Sequence, residues 1–284
     1  KMGIKTCGVD VSKNITQFAR DNGLDVISGY LDEMVAESII QRHGQADVVT
    51  GSNAFAHNDK PEIILEAAKR ILKPEGYLCL EVMYAGDLLE MLQWDTLYHE
   101  HLTFYCLSTL SSLLNLHGFH VIDVERIPMH GGSLRVVATQ DSLKKAKASV
   151  SELMDYEKKK ALHDPETWKT FGNYIGRKIE VVRETMFHLS KNNRVWGYGA
   201  AGKATLWVNS CQMDYLEAMV DASPLRAGKL MPGTHTPIVF PNELKANPPD
   251  YIFVTAWNYA ETIKSNEEWF NGIWVTPLPD LKFF

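Results

Sequence analysis

The stretch YHEHLTFY, Tyr98 to Tyr105, sets His99, His101 and Glu100 inside an aromatic run. In an extended chain His99 and His101 share one face and Tyr98 and Glu100 the other; in a helix Tyr98 and His101 are neighbours three positions apart. Either geometry gathers groups that move a proton near neutral pH, because imidazole titrates there and an adjacent carboxylate can orient the ring. A half-buried element whose polar tips reach solvent gives the same pattern, with Tyr98 as a core residue and Glu100 as an ion-pair partner of Arg126 or Arg135. Zinc is the weaker chemistry: HEH lacks the i, i+4 helical spacing of a zincin, and Cys7, Cys79, Cys106 and Cys211 form no CxxC pair. No metal is expected. Each cysteine sits among apolar neighbours, so neither a disulfide framework nor anything but buried, reduced thiols is expected.

A second motif could hold phosphate. GYGAAG fits G-x-G-x-x-G with Gly197, Gly199 and Gly202, directly after an apolar strand and before a helix. Glycines there permit a tight turn and bring backbone N–H groups to an anion at a helix N-terminus. Asp221 ends the next expected strand, at the distance where an acidic side chain accepts hydrogen bonds from a ribose. Alone, the motif allows a nicotinamide-dependent oxidoreductase, another nucleotide diphosphate, or a glycine-tight turn with no ligand.

The elements that must position these groups alternate. KTCGVDV reads as a strand, Asn14 to Asp21 as a helix, LDVISGY as a strand, Asp32 to Arg42 as a helix, and ADVVTGSNAF as a strand whose unbroken apolar run suits a parallel sheet covered on both faces. Pro61 opens a helix through Leu72, KPEG makes a turn, and YLCLEVMY returns as a strand. Residues 119–140 read as two antiparallel strands at a sheet edge, joined by a glycine-containing turn. Residues 142–190 read as two helices split at HDPE. A second α/β run starts at RVWGYG and continues through EAMVDAS, TPIVF, PDYIFVTAW and GIWVTPL. This alternation predicts an α/β chain of two Rossmann-like lobes: 1–140, a helical connector 141–190, and a smaller nucleotide-binding domain 191–284.

The chain has 284 residues, 45% of them hydrophobic, enough for two packed domains. Its 29 basic and 35 acidic side chains give a net charge of −6, which argues against a nucleic-acid surface. No apolar run approaches the roughly 18–20 residues that span a bilayer, and the first residues lack a signal-peptide profile, so a cytoplasmic protein without a membrane partner is expected.

GVDVS, with Asp10 at a strand end, resembles the acidic second-strand end that holds ribose hydroxyls in S-adenosylmethionine-dependent methyltransferases, and SNAFAH resembles their fourth motif. Together, SNAFAH, WDTLYHEH, RIPMHGGSLRV, GYGAAGKA, GKLMPGTHTPI and PDYIFVTAWNYAETI resemble, in this order, the C-methyltransferases of nucleotide-linked keto-sugars. The likeness runs from Gly8 to about Ile263. It implies a first lobe of the class I methyltransferase fold that binds S-adenosylmethionine through Asp10, Val11, Tyr30, Leu31, Ser52 and Asn53. It implies a second lobe for a nucleotide-diphosphate sugar, with His130, Gly131, Gly132, Arg135, Gly197, Tyr198, Gly199, Ala200, Lys203, Asp221, Trp257 and Asn258 as substrate residues and reaction between the lobes. His130 could equally serve its own turn. The resemblance also implies a glycine-rich first strand about twenty residues before Asp10 and a zinc module on paired cysteines; neither lies in these residues, so an incomplete first lobe is expected.

Methylating the carbon beside a ketone needs a base for the α proton and a donor for the enolate oxygen. The resemblance assigns this work to Tyr98, Glu100, His101 and His57. We expect His101 as base, Glu100 orienting it, and Tyr98 and His57 bonded to the oxygen; His57 and His101 could exchange roles, and His57 could instead cap the helix after Asn58. A monomer or weak dimer is expected. A sugar-nucleotide-binding protein without catalysis is the remaining alternative.

Overall fold

The computed structural model describes residues 3–284, which form two compact units. The first takes in the described residues up to Ala85 together with Leu102–Lys160; the second is Gly86–His101 with Ala161–Phe284. Among the described residues no helix is long and apolar enough to cross a membrane.

The first unit opens with β1 (Gly8–Asp10), α1 (Lys13–Asp21), β2 (Val26–Ser28), α2 (Glu33–His43), β3 (Ala46–Ser52), α3 (Pro61–Ile71) and β4 (Leu72–Met83). Helix starts follow local chemistry: Ser12 accepts from the Ile15 N–H, Asp32 accepts from the Val35 N–H, and Pro61 occupies the first turn of α3, where an N–H would be unpaired anyway. After α4 (Ala85–Glu90), which apart from Ala85 belongs to the second unit, come α5 (Leu107–Leu116), β5 (His120–Ile127), β6 (Ser133–Thr139) and α6 (Ala148–Lys159) of the first. The strands form two sheets, a parallel β1–β2 pair and a four-stranded sheet ordered β3-β4-β6-β5. One cluster built on Ala36, Ile39, Ala67 and Ile71 packs against Val9 and Ile27 from the first sheet and Val49 from the second. Thus α2 and α3 cover both sheets, and among the described residues no strand pairs with β1 or β3 on the sides away from β2 and β4.

Two details differ from the sequence reading. KPEG is no turn: Ala46 pairs with Leu72 and Val48 with Tyr77, so the segment is a bulge at the start of β4. Gly76 sits there because a Cβ would lie 3.0 Å from the Lys73 carbonyl and 3.1 Å from that of Asp47. Likewise β3 stops at Ser52, and Phe55–His57 form a single 3-10 turn.

The second unit contains α7 (Pro165–Ser190), β7 (Val195–Tyr198), α8 (Gly202–Ser210), β8 (Met219–Val220), β9 (Ile238–Val239), α9 (Pro241–Ala246), β10 (Tyr251–Val254), α10 (Ala260–Asn266), β11 (Ile273–Thr276) and β12 (Lys282–Phe283). They build one sheet ordered β12-β11-β10-β7-β8-β9, parallel except for β12. Trp196, Tyr198, Val220, Ile252, Val254, Phe270 and Trp274 form its core.

The helical stretch expected as a connector divides between the units. The reason is visible at α6. Glu157, fully buried, accepts hydrogen bonds from the Leu107 N–H at 2.5 Å, the Ser108 N–H at 3.0 Å and the Ser108 hydroxyl at 2.5 Å. A carboxylate from α6 therefore caps the positive end of α5, and α6 belongs to the first unit. Replacing Glu157 by Ala leaves these buried donors unpaired; we expect the first unit to lose about 2–4 kcal/mol in denaturant unfolding, with Glu157→Gln losing less because an amide oxygen still accepts.

Candidate active site

In the second unit β7 is buried along its whole length and delivers the chain into the glycine turn. The three glycines have three reasons. A Cβ on Gly197 would lie 2.5 Å from Met219 Cε and Sδ; Gly199 has φ +94 and faces Ala256; a Cβ on Gly202 would lie 3.1 Å from Cζ of Tyr98. The Gly199 N–H donates to the Val220 carbonyl at 2.8 Å, and the Thr255 hydroxyl donates to the carbonyls of Tyr198 and Gly199. Beyond the turn, the Ala204 N–H donates to the carbonyl of the N-cap residue Ala201 at 2.9 Å, and the Gly202 and Lys203 N–H groups at the start of α8 have no acceptor within their own helix.

Residues 94–101 belong to this unit and fold into it through Asp95. This carboxylate has no solvent exposure, and its Oδ2 accepts from Trp207 Nε1 at 3.0 Å and Trp257 Nε1 at 2.8 Å. Trp94 stacks edge-on against Trp207 with centroids 4.7 Å apart. Oδ1 has no hydrogen-bond partner and lies 4.0 Å from the buried Lys203 Nζ, which has none either and sits 4.9 Å from the Trp257 ring centroid. Burial pushes the Asp95 carboxyl up and the Lys203 ammonium down; their mutual attraction and the two indole donors oppose this.

Tyr98 and His101 follow on the same turn. Their rings lie 4.2 Å apart, and the Tyr98 ring covers Gly202. The Thr96 carbonyl is 2.7 Å from His101 Nδ1. A carbonyl only accepts, so Nδ1 carries the proton and the lone pair of the neutral ring is on Nε2. Thr96 therefore orients the imidazole through Nδ1; Glu100 is exposed. Burial, helped by Glu100 and Asp95, raises the Tyr98 pKa, so the phenol stays a donor.

Other residues expected to bind substrate are engaged elsewhere. Tyr198 is a core residue whose hydroxyl donates to the buried Glu267 at 3.0 Å. Trp257 is buried on Asp95. Asp221 accepts from the Ala200 N–H at 2.8 Å, the Ser223 N–H at 2.8 Å and Arg226 Nη1 at 2.9 Å from Oδ2. It fastens the glycine turn, and with both oxygens occupied it is a poor ribose acceptor. Lys203 Nζ is held in the buried cluster beside Asp95, the Gly199 and Ala200 N–H groups donate to Val220 and Asp221, and Asn258 lies in a single 3-10 turn.

In the first unit the expected cofactor residues gather at the carboxyl ends of the strands. Asp10 ends β1, Tyr30 and Leu31 follow β2, and Ser52 ends β3 with Asn53 next to it. One oxygen of the exposed Asp10 carboxylate accepts from the Ser12 N–H at 2.7 Å; the other has no hydrogen bond among the described residues, which fits a donor ribose hydroxyl. Val11 and Tyr30 are exposed apolar surface beside it. Asn53 has φ +53, and its N–H donates to the Glu81 carbonyl at 3.0 Å.

Glu81, which the sequence did not single out, organises this edge. It accepts from the Ser52 hydroxyl at 2.6 Å and from Arg135 Nε at 2.8 Å. Arg135 also pairs with Glu125 at 3.2 Å, so it cross-links β4, β5 and β6 instead of waiting for substrate, and it is not paired with Glu100. His57 is exposed in its 3-10 turn, and Lys60, not His57, stands at the cap of α3. His130, at φ +56, precedes Gly131 and Gly132, both also at positive φ, so all three shape one tight turn before β6. Of the cysteines, Cys106 and Cys211 are buried, while Cys7 and Cys79 are only partly so.

Comparison with known proteins now adds the family. A model described as "C-methyltransferase C-terminal domain" matches residues 128–279, and one described as "Methyltransferase domain" matches residues 1–124. The chain belongs to the C-methyltransferase family. The C-methyltransferase NovU of Streptomyces niveus is 32% identical over 285 residues, covering 98% of this chain and 68% of the relative. Solved structures similar to part of this C-methyltransferase include a methyltransferase of Thermotoga maritima, a possible histamine N-methyltransferase (20% identity, TM-score 0.38, 48% of this chain and 73% of that one). Magnesium protoporphyrin IX methyltransferase of Synechocystis is another (13% identity, TM-score 0.37, 48% and 64%). The C-methyltransferase uses S-adenosylmethionine, and the oxidoreductase alternative is set aside.

Two outcomes follow. Asp95→Ala leaves two indole N–H groups and the Lys203 ammonium uncompensated, and we expect the second unit to lose about 3–5 kcal/mol with a red-shifted tryptophan emission; Asp95→Asn, which keeps an acceptor, loses less. Ser52 and Arg135 hold the Glu81 carboxyl below the usual range. A depressed folded pKa gives stability that is complete above the unfolded value and lost as pH falls through the folded one. Glu81→Gln is therefore expected to lower stability at neutral pH and to flatten the acid limb of the first unit's pH–stability curve below about pH 4.

Proposed function

We propose that this C-methyltransferase methylates a ring carbon next to the keto group of a nucleotide-diphosphate-linked sugar, through an enolate. One observation carries the reading: a protonated phenol and an imidazole with its lone pair on Nε2 are packed together, and the phenol ring lies on Gly202, where the glycine loop passes into α8.

S-adenosylmethionine supplies an electrophilic methyl on a sulfonium, an excellent leaving group. The chain's own burden is to make carbon nucleophilic. His101 Nε2 takes the α proton, Tyr98 donates its O–H to the oxygen on which the charge develops, and the enolate carbon receives the methyl. The Gly202 and Lys203 N–H groups at the start of α8 suit a diphosphate, since a helix N-terminus favours an anion, and the buried Lys203 ammonium is assigned to the same anion through its charge rather than a direct contact. His57 is assigned a second hydrogen bond to the enolate oxygen, and exposed Glu100 a field that keeps Tyr98 protonated. His130, Gly131, Gly132 and Asn258 are assigned to the sugar. Asp10, Val11, Tyr30, Leu31, Ser52 and Asn53 are assigned to the methyl donor, with Asp10 on its ribose.

The reading separates into steps that can be measured. With a nucleotide-linked keto-sugar in deuterated water and no methyl donor, the enzyme is expected to exchange the α proton. His101→Asn is expected to abolish both exchange and methyl transfer, and Tyr98→Phe to slow both by roughly 10²–10³-fold, the cost of one oxyanion donor. Exchange retained in His101→Asn removes His101 as the base; tight sugar-nucleotide binding without exchange or methylation in the unmodified enzyme leaves a binding protein instead.

A further inference from the structure

At the other end of β1 and β2, away from Asp10, three side chains of different chemistry converge. Cys7 immediately precedes β1, Asp25 immediately precedes β2, and His43 is the last residue of α2. The Cys7 thiol, an Asp25 carboxylate oxygen and a His43 ring nitrogen all lie within 4.8 Å of one another. His43 Nε2 is 3.0 Å from Asp25 Oδ2.

The arrangement is built by the fold. The parallel register Gly8↔Val26 puts the residues before the two strands side by side, and the Gly8 N–H donates to the Asp25 carbonyl at 2.8 Å. That bond fixes the Cα positions of Cys7 and Asp25 relative to each other. Helix α2 is locked by its core residues Ala36 and Ile39 and is closed by Gly44 at φ +76, so its last residue arrives at a defined place.

We propose that Cys7, Asp25 and His43 bind one zinc ion, with solvent in the fourth position. Sulfur, imidazole nitrogen and carboxylate oxygen are the donors zinc prefers, and a tetrahedral site holds such atoms roughly 3.3–3.6 Å apart. Rotamer adjustments of about an ångström close the observed triad onto that geometry. The charges balance, since a thiolate, a carboxylate and a neutral imidazole neutralise Zn²⁺. Zinc takes the Cys7 sulfur as thiolate, so binding releases its proton. Bound there, zinc ties β1 and β2 to α2 and stabilises the edge of the first unit without touching the donor residues at the opposite strand ends.

The test is metal binding by the 284-residue chain. Zinc added to chelator-treated protein is expected to bind with one equivalent that depends on Cys7, and to raise Tm. Cobalt(II) is expected to give a thiolate-to-metal charge-transfer band. Cys7→Ser abolishes the band, and His43→Gln weakens affinity by more than about tenfold, the least that loss of a ligand costs when second-shell changes alone reach that size; Cys79→Ser changes neither. Absence of the band in the unmodified chain overturns the proposal, as does an unchanged band or stoichiometry in both Cys7→Ser and His43→Gln. The surface position of His43 makes its variant a fold-neutral check on the cysteine variant.

Discussion

A carboxylate without solvent organises the second unit. Moving Asp95 out of water costs several kcal/mol, and a single ammonium at 4.0 Å does not make good geometry for recovering that cost. Two indole donors on one oxygen do more, because each is a short, directed bond to a charge in a low-dielectric surround. An apolar residue of similar volume would satisfy packing at least as well. What an apolar residue cannot do is specify that Trp207 of α8 and Trp257 beyond β10 point their N–H groups to the same place. The aspartate therefore fixes register: it sets where residues 94–96 lie against Trp207 of α8 and Trp257, and Tyr98 and His101 follow within two turns of chain.

The glycine turn shows how a motif divides its polar groups. Its Ala200 N–H is taken by Asp221, and its carbonyls are taken by Thr255. With the Gly199 N–H on Val220 and the Ala200 N–H on Asp221, the proposed anion would meet the N–H groups that begin α8. The same economy governs Gly202, whose missing side chain admits the Tyr98 ring. Spacing that reads as a dinucleotide fingerprint is here equally a requirement of close packing between a helix start and an aromatic ring.

Much of this was legible in the sequence. The alternation of β1 to β4 and of β7 to β11 was readable from apolar runs and breaks, as were the helices from Asn14, Asp32 and Pro61; the reading of β3 as covered on both faces was not met, since none of its residues is buried and Val48 is exposed. KPEG misled because Pro and Gly mark a bulge as readily as a turn. The role of Asp95 was not readable: an aspartate between Trp94 and Thr96 looks like a solvated tip, and its partners lie 112 and 162 positions away. The allegiance of residues 86–101 to the second unit was hidden for the same reason, since a segment held by scattered indole bonds has no hydrophobic period. Glu81 reads as an outward strand residue until the antiparallel register sets Arg135 beside it. Cys7, Asp25 and His43 likewise meet only through the pairing of two three-residue strands.

This division of the chain bears on the order of chemistry. On the proposed assignment, the base, the phenol donor and the diphosphate anchor are all side chains or amides of the second unit, held by one hydrogen-bonded cluster around Asp95. The donor-ribose carboxylate and the Glu81 rung belong to the first. Deprotonating the sugar then draws on groups fixed to the same rigid framework as its phosphate anchor, so their spacing does not depend on whether a methyl donor is bound. The interaction that makes such fixed spacing possible is the buried carboxylate of Asp95 rather than the histidine that follows it in the chain.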